Sequence, residues 1–260
     1  MESQSEWKDK FCVVTGAASG IGAATMIKLL NLGAPVIAID INEVALLGTL
    51  GKLPLNIQKL AVPRICDISA ENEVEALFSS LSDVPLTALL NIAALPSPGL
   101  SIEEISEKIW DRVMNVNVKG VFLMTKYSLP LFRNNSGGVV VNTSSVHAIA
   151  SMTNMSVYAA TKGAINSLTS QLALELVSDH VRVVGIAPGS VNTPMTTLDL
   201  KSDSLRLNDL GFATDGFSIG YVGEPEEIAE AIMWVASSKA SFVNGTTITV
   251  DGGLLARLVN

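Results

Sequence analysis

Phe11-Cys-Val-Val-Thr15 runs straight into Gly16-Ala-Ala-Ser-Gly20-Ile-Gly22. Ala23-Ala-Thr-Met-Ile-Lys-Leu-Leu30 follows, and then Pro35-Val-Ile-Ala-Ile39 with Asp40 at its end. The first segment is a short apolar run with β-branched residues, the pattern of a buried strand. Ala23–Leu30 has helical periodicity, and Gly33 and Pro35 stop it. In order this is strand, glycine turn, helix, strand, acid. The glycines let the backbone turn tightly and let a pyrophosphate approach the helix start, where unpaired N–H groups and the helix dipole favour an anion. The acid at the end of the second strand suits the two ribose hydroxyls of an adenosine. A glycine turn used only for close packing is the alternative; the ordered context points instead to a dinucleotide. A carboxylate at Asp40 repels a ribose phosphate, and no Lys or Arg lies in the glycine loop or directly after Asp40. NAD is therefore expected rather than NADP.

Strands and helices alternate through the rest of the chain. Asn42–Lys52 is predicted helical despite Gly48 and Gly51, and Leu60–Cys66 is a third strand in which Pro63 is out of place. Asp67 either meets an adenine amino group, because adjacent strand ends form the ligand crevice of open sheets, or makes turn chemistry with Ser69 and caps a helix over Ala70–Leu81. Leu86–Leu90 is a fourth strand, followed by Asn91-Ile-Ala-Ala94 and a loop, Leu95–Gly99. Ser101-Ile-Glu-Glu104 has the form of a capping box. It is expected to open a long helical region with Trp110, Val113, Val116, Val118, Val121, Phe122 and Met124 in the core. Asn115 and Asn117 fall inside that region, where Asn is disfavoured, so a buried polar role is expected.

Gly137–Asn142 gives a turn and a fifth strand, Val157–Leu176 a long helix, and Val181–Ala187 a sixth strand that Pro188-Gly189 breaks. Met195–Val222 lacks clear periodicity and reads as a functional loop or lid. A helix from Glu224 to about Ser238 and a strand, Thr246–Val250, complete the series. With no repeat or linker, residues 1–260 read as one α/β domain with a substrate loop near 190–222. Such alternation predicts a doubly wound parallel β-sheet with helices on both faces.

The fifth strand delivers Thr143, Ser144 and Ser145 to its carboxyl end, and Tyr158 and Lys162 open the next helix four residues apart, on one face. A free tyrosine has a pKa of about 10. A neighbouring ammonium favours the phenolate, and a phenol tuned this way exchanges a proton with a substrate hydroxyl or carbonyl. Ser145, thirteen residues before Tyr158, could hydrogen-bond the same oxygen. A solvated helix face is the alternative reading of Tyr158 and Lys162 alone. His147 either faces the substrate or is a loop histidine without a role.

Nearly half of the residues are apolar, yet no apolar run of eighteen or more is uninterrupted, so a membrane span is not expected. The polar, acidic N-terminus lacks the features of a signal peptide. Cys12 and Cys66 sit in apolar strand-like runs and read as buried thiols, which suits a reducing, cytoplasmic location. No metal site is expected. The net charge is 17 − 25 = −8 and no Lys/Arg cluster occurs, which disfavours nucleic acid.

Taken together, Thr15-Gly-Ala-Ala-Ser-Gly-Ile-Gly22, Asp40, Asp67, Asn91-Ile-Ala-Ala94, Asn117, Ser145, Tyr158-x-x-x-Lys162 and Pro188-Gly189 resemble the short-chain dehydrogenase/reductase family from Lys10 to about Leu254. The resemblance implies a Rossmann fold and hydride transfer between a nicotinamide and a carbinol or carbonyl carbon. It implies Tyr158 as general acid/base, Ser145 on the substrate oxygen, Lys162 on the nicotinamide ribose, and Asn117 holding a water of a proton relay. Gly16, Ser19, Gly20, Ile21 and Gly22 would line the pyrophosphate site. Asp40 would take the ribose, and Asp67 and Ile68 the adenine. Asn91 and Ala93 would lie where adenosine meets the sheet, and Pro188, Gly189, Val191 and Thr193 would follow the carboxamide and phosphates. The family commonly has Asn-Asn-Ala-Gly where this chain has Asn91-Ile-Ala-Ala94; Ala94 narrows the space over the ribose.

These readings imply an NAD-dependent dehydrogenase or reductase of a secondary alcohol or ketone. Substrate contacts are expected from Ser145, His147, Met152 and Met195, and Leu95, Met155, Leu198, Leu210, Phe212 and Phe217 make the pocket apolar, which favours an alicyclic substrate. An NADP-dependent biosynthetic ketoreductase and a non-catalytic dinucleotide-binding scaffold are the alternatives. The resemblance also implies a homotetramer, with a dimer second.

Overall fold

The apolar runs assemble as parallel strands in the computed structural model, which describes residues 4–199 and 222–256. The strands are β1 (Phe11–Thr15), β2 (Val36–Asp40), β3 (Ala61–Ile65), β4 (Leu86–Asn91), β5 (Gly138–Thr143), β6 (Val181–Pro188) and β7 (Thr247–Val250). The α-helices are α1 (Gln4–Trp7), α2 (Gly20–Asn31), α3 (Glu43–Leu50), α4 (Leu55–Gln58), α5 (Glu71–Ser79), α6 (Glu107–Met114), α7 (Gly120–Asn134), α8 (Ser156–Glu175), α9 (Pro194–Asp199) and α10 (Pro225–Ala236). Among the described residues the sheet has seven strands in the order β3-β2-β1-β4-β5-β6-β7. The chain order reverses between β1 and β4, so a crevice opens outside their carboxyl ends.

Both faces of the sheet are covered, which is why its inner strands are nearly continuous apolar runs, whereas the edge strands β3 and β7 are only partly buried. Cys12, Val14, Val36, Ala38, Ala88 and Leu90 pack with α2 and α10 on one face. Val13, Ile37, Ile39, Leu89 and Val140 pack with α5, α7 and α8 on the other. Cys12 and Cys66 are buried free thiols. Among the described residues no helix is long and apolar enough to cross a membrane.

Several local expectations shift. The helix expected over Asn42–Lys52 is the shorter α3, because the Asn42 side chain caps it by accepting from Ala45 N–H at 3.0 Å. Pro63 is accommodated because β3 is an edge strand. The Ser101 box forms, with Glu104 accepting from Ser101 N–H at 2.9 Å, but it closes a single turn. The helix starts at Glu107 instead, where the Ser106 hydroxyl accepts from Ile109 N–H at 3.3 Å. Trp110 and Phe122, expected in the core, are 37% and 45% exposed. A π-helical turn, Asn115–Lys119, separates α6 from α7 and breaks the regular helical period across which their faces were aligned. Within the stretch expected to be irregular, α9 forms with Pro194 at its first position. The expectations for Leu210, Phe212 and Phe217, and for the side chain of Leu198, lie outside the described residues.

Glycine is required at the turn after β1. Gly16 has φ +68°, and a Cβ there would lie 2.9 Å from Ala93 Cα. A Cβ on Gly22 would lie 2.0 Å from the Gly16 carbonyl oxygen, inside any permissible contact. Gly48, by contrast, lies within α3 with nothing within 4 Å of the added carbon. Gly22→Ala is therefore expected to destabilise the protein by about 1–3 kcal/mol. Gly48→Ala should stabilise it by about 0.5–1 kcal/mol. Urea midpoints of the two variants, moving in opposite directions, check both.

Candidate active site

Two adjoining cavities open at the carboxyl ends of the central strands. The larger, about 600 Å³, is lined by Gly16, Ser19, Gly20, Ile21, Gly22, Asp40, Asp67, Ile68 and Ala93, among others. The smaller, about 180 Å³, is lined by Ser145, His147, Met152, Tyr158, Lys162, Pro188, Gly189 and Val191, among others. Ile21, Ile92, Ala94, Thr193 and Met195 line both and make one continuous cleft.

On the larger side no side chain caps the start of α2. The first N–H groups of a helix have no intrahelical partner, so here they are left to a ligand. Asp40 is fixed by the same turn: Oδ2 accepts from Ala18 N–H at 3.0 Å and Oδ1 from Asn42 N–H at 2.9 Å. A carboxylate keeps further lone pairs for two hydroxyl donors. This set of positive-φ glycines, open helix amides and a fixed acid fits a dinucleotide: Gly16–Gly22 would hold the pyrophosphate and Asp40 the ribose. Asp67 makes the turn contacts expected with Ser69 and also lines the cavity. Its Oδ1 accepts from the Ser69 N–H at 2.9 Å and hydroxyl at 2.7 Å. It does not cap α5, whose N-cap is Ala70.

Asn91 is placed differently from the expectation. It is buried in the sheet, and its Nδ2 donates to Asn142 Oδ1 at 2.9 Å, linking β4 to β5 instead of lining the cleft. Leu95, expected against substrate, lines the larger cavity. Arg112, Asn115 and Val116 line it too. Arg112 was not expected there, Val116 was expected in the core and Asn115 buried; Asn115 is instead exposed, because the π turn changes which helix face meets the cleft.

On the smaller side, Ser145 is buried at the end of β5, and its Oγ accepts from His147 N–H at 3.2 Å. Its own proton is thereby left for an oxygen in the cavity. Lys162 is buried, and its Nζ lies 5.4 Å from the Tyr158 ring centroid and donates to Thr143 O at 2.8 Å. The ammonium has three donors, which leaves others for a ribose. Ser144 ties the helix to the strand, donating to Lys162 O at 3.2 Å. The His147 ring meets the Tyr158 ring edge-on, with centroids 5.8 Å apart.

Asn117 is buried behind this wall. Its Oδ1 accepts from Leu95 N–H at 2.7 Å, and its Nδ2 donates to Leu95 O at 3.0 Å and Thr161 Oγ1 at 3.3 Å. Both amide protons are committed to the protein. The side chain thereby holds the Leu95 loop against Thr161.

Residues 16–255 match a family described as enoyl-(acyl carrier protein) reductase. The chain is 34% identical over 248 residues to the 3-oxoacyl-(acyl-carrier-protein) reductase of Thermotoga maritima, covering 95% of this chain and 98% of that protein. It is 31% identical over 262 residues to the cyclohexanol dehydrogenase of Acinetobacter sp., covering 97% and 98% respectively. In three dimensions it is similar to the crystal structure of 3-ketoacyl-(acyl-carrier-protein) reductase from Brucella melitensis complexed with NADH. There the TM-score is 0.84 and the identity 30%, covering 95% of this chain and 99% of that one.

Burial pushes the Lys162 pKa down to about 8. In the unfolded chain a lysine holds its proton to about 10.4. Between these values the unfolded state binds the extra proton, so this group destabilises the fold below about pH 8 and the penalty fades as pH rises toward 10. Against Lys162→Met, the stability gap should move in favour of the wild type over that window by up to about 1.4 kcal/mol per pH unit. Urea titrations of the cofactor-free proteins across the window check the sign.

Proposed function

The chain belongs to the short-chain dehydrogenase/reductase family of oxidoreductases, and from that premise we propose that it is an NAD-dependent dehydrogenase of secondary alcohols and their ketones, with an apolar, alicyclic substrate. The observation that carries the reading is the continuity of the cleft: Ser145, Tyr158 and Lys162 line a small cavity that opens onto the glycine cradle. A nicotinamide dinucleotide bound in that cradle supplies the acceptor or donor of hydride. The chain's own groups handle the proton. Ser145 donates a hydrogen bond to the substrate oxygen. Tyr158 takes that oxygen's proton during oxidation and returns it during reduction. Lys162, four residues on and buried beside the ring, favours the phenolate when charged. Ile92, Met152, Met155 and Met195 give the cavity an apolar lining, which supports an alicyclic substrate. The relative named a cyclohexanol dehydrogenase agrees with it.

Asp40 supports NAD over NADP, since its carboxylate would repel a phosphate on the ribose. A biosynthetic, NADP-dependent ketoreductase is the second reading. It is favoured by the relative named a 3-oxoacyl-(acyl-carrier-protein) reductase and by Arg112, a cation lining the larger cavity. A non-catalytic scaffold has no need of the retained Ser145, Tyr158 and Lys162. A cytoplasmic homotetramer, or else a dimer, is the assembly we propose; the exposed Trp110, Phe122 and Leu174 supply apolar surface for it.

Parallel fluorescence titrations should show NADH binding at least about tenfold tighter than NADPH, a difference of about 1.4 kcal/mol. The reverse order would favour the second reading. Tyr158→Phe should lose turnover of cyclohexanol with NAD by at least about a hundredfold, in the range of general acid–base catalysis, while its NADH dissociation constant stays near the wild-type value.

A further inference from the structure

His147 lies two residues beyond the proposed substrate-oxygen ligand and lines the smaller cavity. It is half-buried, and its ring stands edge-on to the ring of Tyr158 at 5.8 Å between centroids. Its Nδ1 shares a hydrogen bond with the Ser151 hydroxyl at 3.1 Å. Among the described residues the other ring nitrogen, Nε2, takes no partner. Three other hydroxyls in this cavity are already spent, whereas the buried Thr143 Oγ1 has no partner. The hydroxyls of Ser97, Ser144 and Thr196 donate to the carbonyls of Asn154, Lys162 and Val191 at 2.7, 3.2 and 2.8 Å. Around them the wall is apolar: Ile92, Pro96, Met152, Met155, Val191 and Met195.

Resting on the dehydrogenase reading above, we propose that His147, held by Ser151, binds a second oxygen of the substrate, so that the preferred substrates are alicyclic secondary alcohols or ketones carrying a further hydroxyl or carbonyl group. A serine hydroxyl both donates and accepts, and a neutral imidazole donates from one nitrogen and accepts at the other. When the Ser151 hydroxyl donates to Nδ1, the proton sits on Nε2, which then donates to a carbonyl. When Nδ1–H donates to Ser151, Nε2 accepts from a hydroxyl. The pair thus recognises the second oxygen in either oxidation state without a change in charge. Burial lowers the His147 pKa, which keeps the ring neutral and both tautomers in play. Tyr158 and His147 divide the work: the first exchanges a proton with the reacting oxygen, and the second orients the ring by the other oxygen. A polar group placed in an apolar wall discriminates strongly, because a substrate lacking the partner leaves it unpaired.

Steady-state kinetics with NAD on cyclohexanol and the cyclohexanediols test the assignment. The wild type is expected to show a kcat/KM at least about tenfold higher on the best diol than on cyclohexanol, the worth of about one good hydrogen bond. His147→Phe, which keeps the aromatic contact with Tyr158, should bring that ratio close to one. His147→Gln, whose amide reaches toward the Nε2 position, should restore part of it. Ser151→Ala should lower it. Cyclohexanol turnover with no gain on any diol, or a ratio that His147→Phe leaves unchanged, would overturn this assignment and leave the dehydrogenase reading standing. NADH binding without turnover of either substrate class would overturn the alicyclic reading and this assignment together.

Discussion

Asn117 holds together parts of the chain that are far apart in sequence. Its amide grips both backbone groups of Leu95 and the hydroxyl of Thr161, and Thr161 in turn donates to the carbonyl of Tyr158 at 2.7 Å. The loop after β4, the helix that walls the cleft and the start of α8 are therefore tied through one side chain. The Asn117–Thr161 bond is buried and the others are partly so, and leaving a buried polar group unpaired is costly. An ordinary helical turn would be more regular, but the chain adopts a π turn at this residue. Such turns recur at functional positions in helices. The arrangement spends helix regularity on the placement of Tyr158 and Lys162.

The layout of the sheet was legible because parallel strands buried on both faces are written as uninterrupted apolar runs, and all of these runs paired. The dinucleotide cradle was legible for a related reason: glycine turn, helix and acid are adjacent in sequence, so local reading sufficed. Reading failed where the outcome depended on distant partners. Nothing near Asn91 says that Asn142 will face it across the β4–β5 pair. Nothing near Trp110 or Phe122 says that a π turn between them breaks their alignment. Ser151 drew no attention because its meaning depends on the ring of His147, and that contact exists only once the short 3-10 turn Val146–Ala148 has formed.

The electrostatics of the site differ in kind from those of the surface. The chain carries a net charge of −8, yet the cleft is fitted for a dinucleotide, itself an anion. Main-chain amides and the dipole of α2 resolve this, because they offer partial positive charge to an anion at the helix start. The full positive charge of Lys162 is kept under the surface, next to the tyrosine it influences.

Pro63 has a consequence for how this sheet meets other molecules. At the open edge of β3 it removes one N–H from the row that a further strand would need. Edges left unguarded invite other chains to pair. Continuation of the sheet is thus discouraged at the β3 margin, while β7 carries no proline over Thr247–Val250. The two flanks of the sheet therefore differ in how readily a further strand could pair with their backbone.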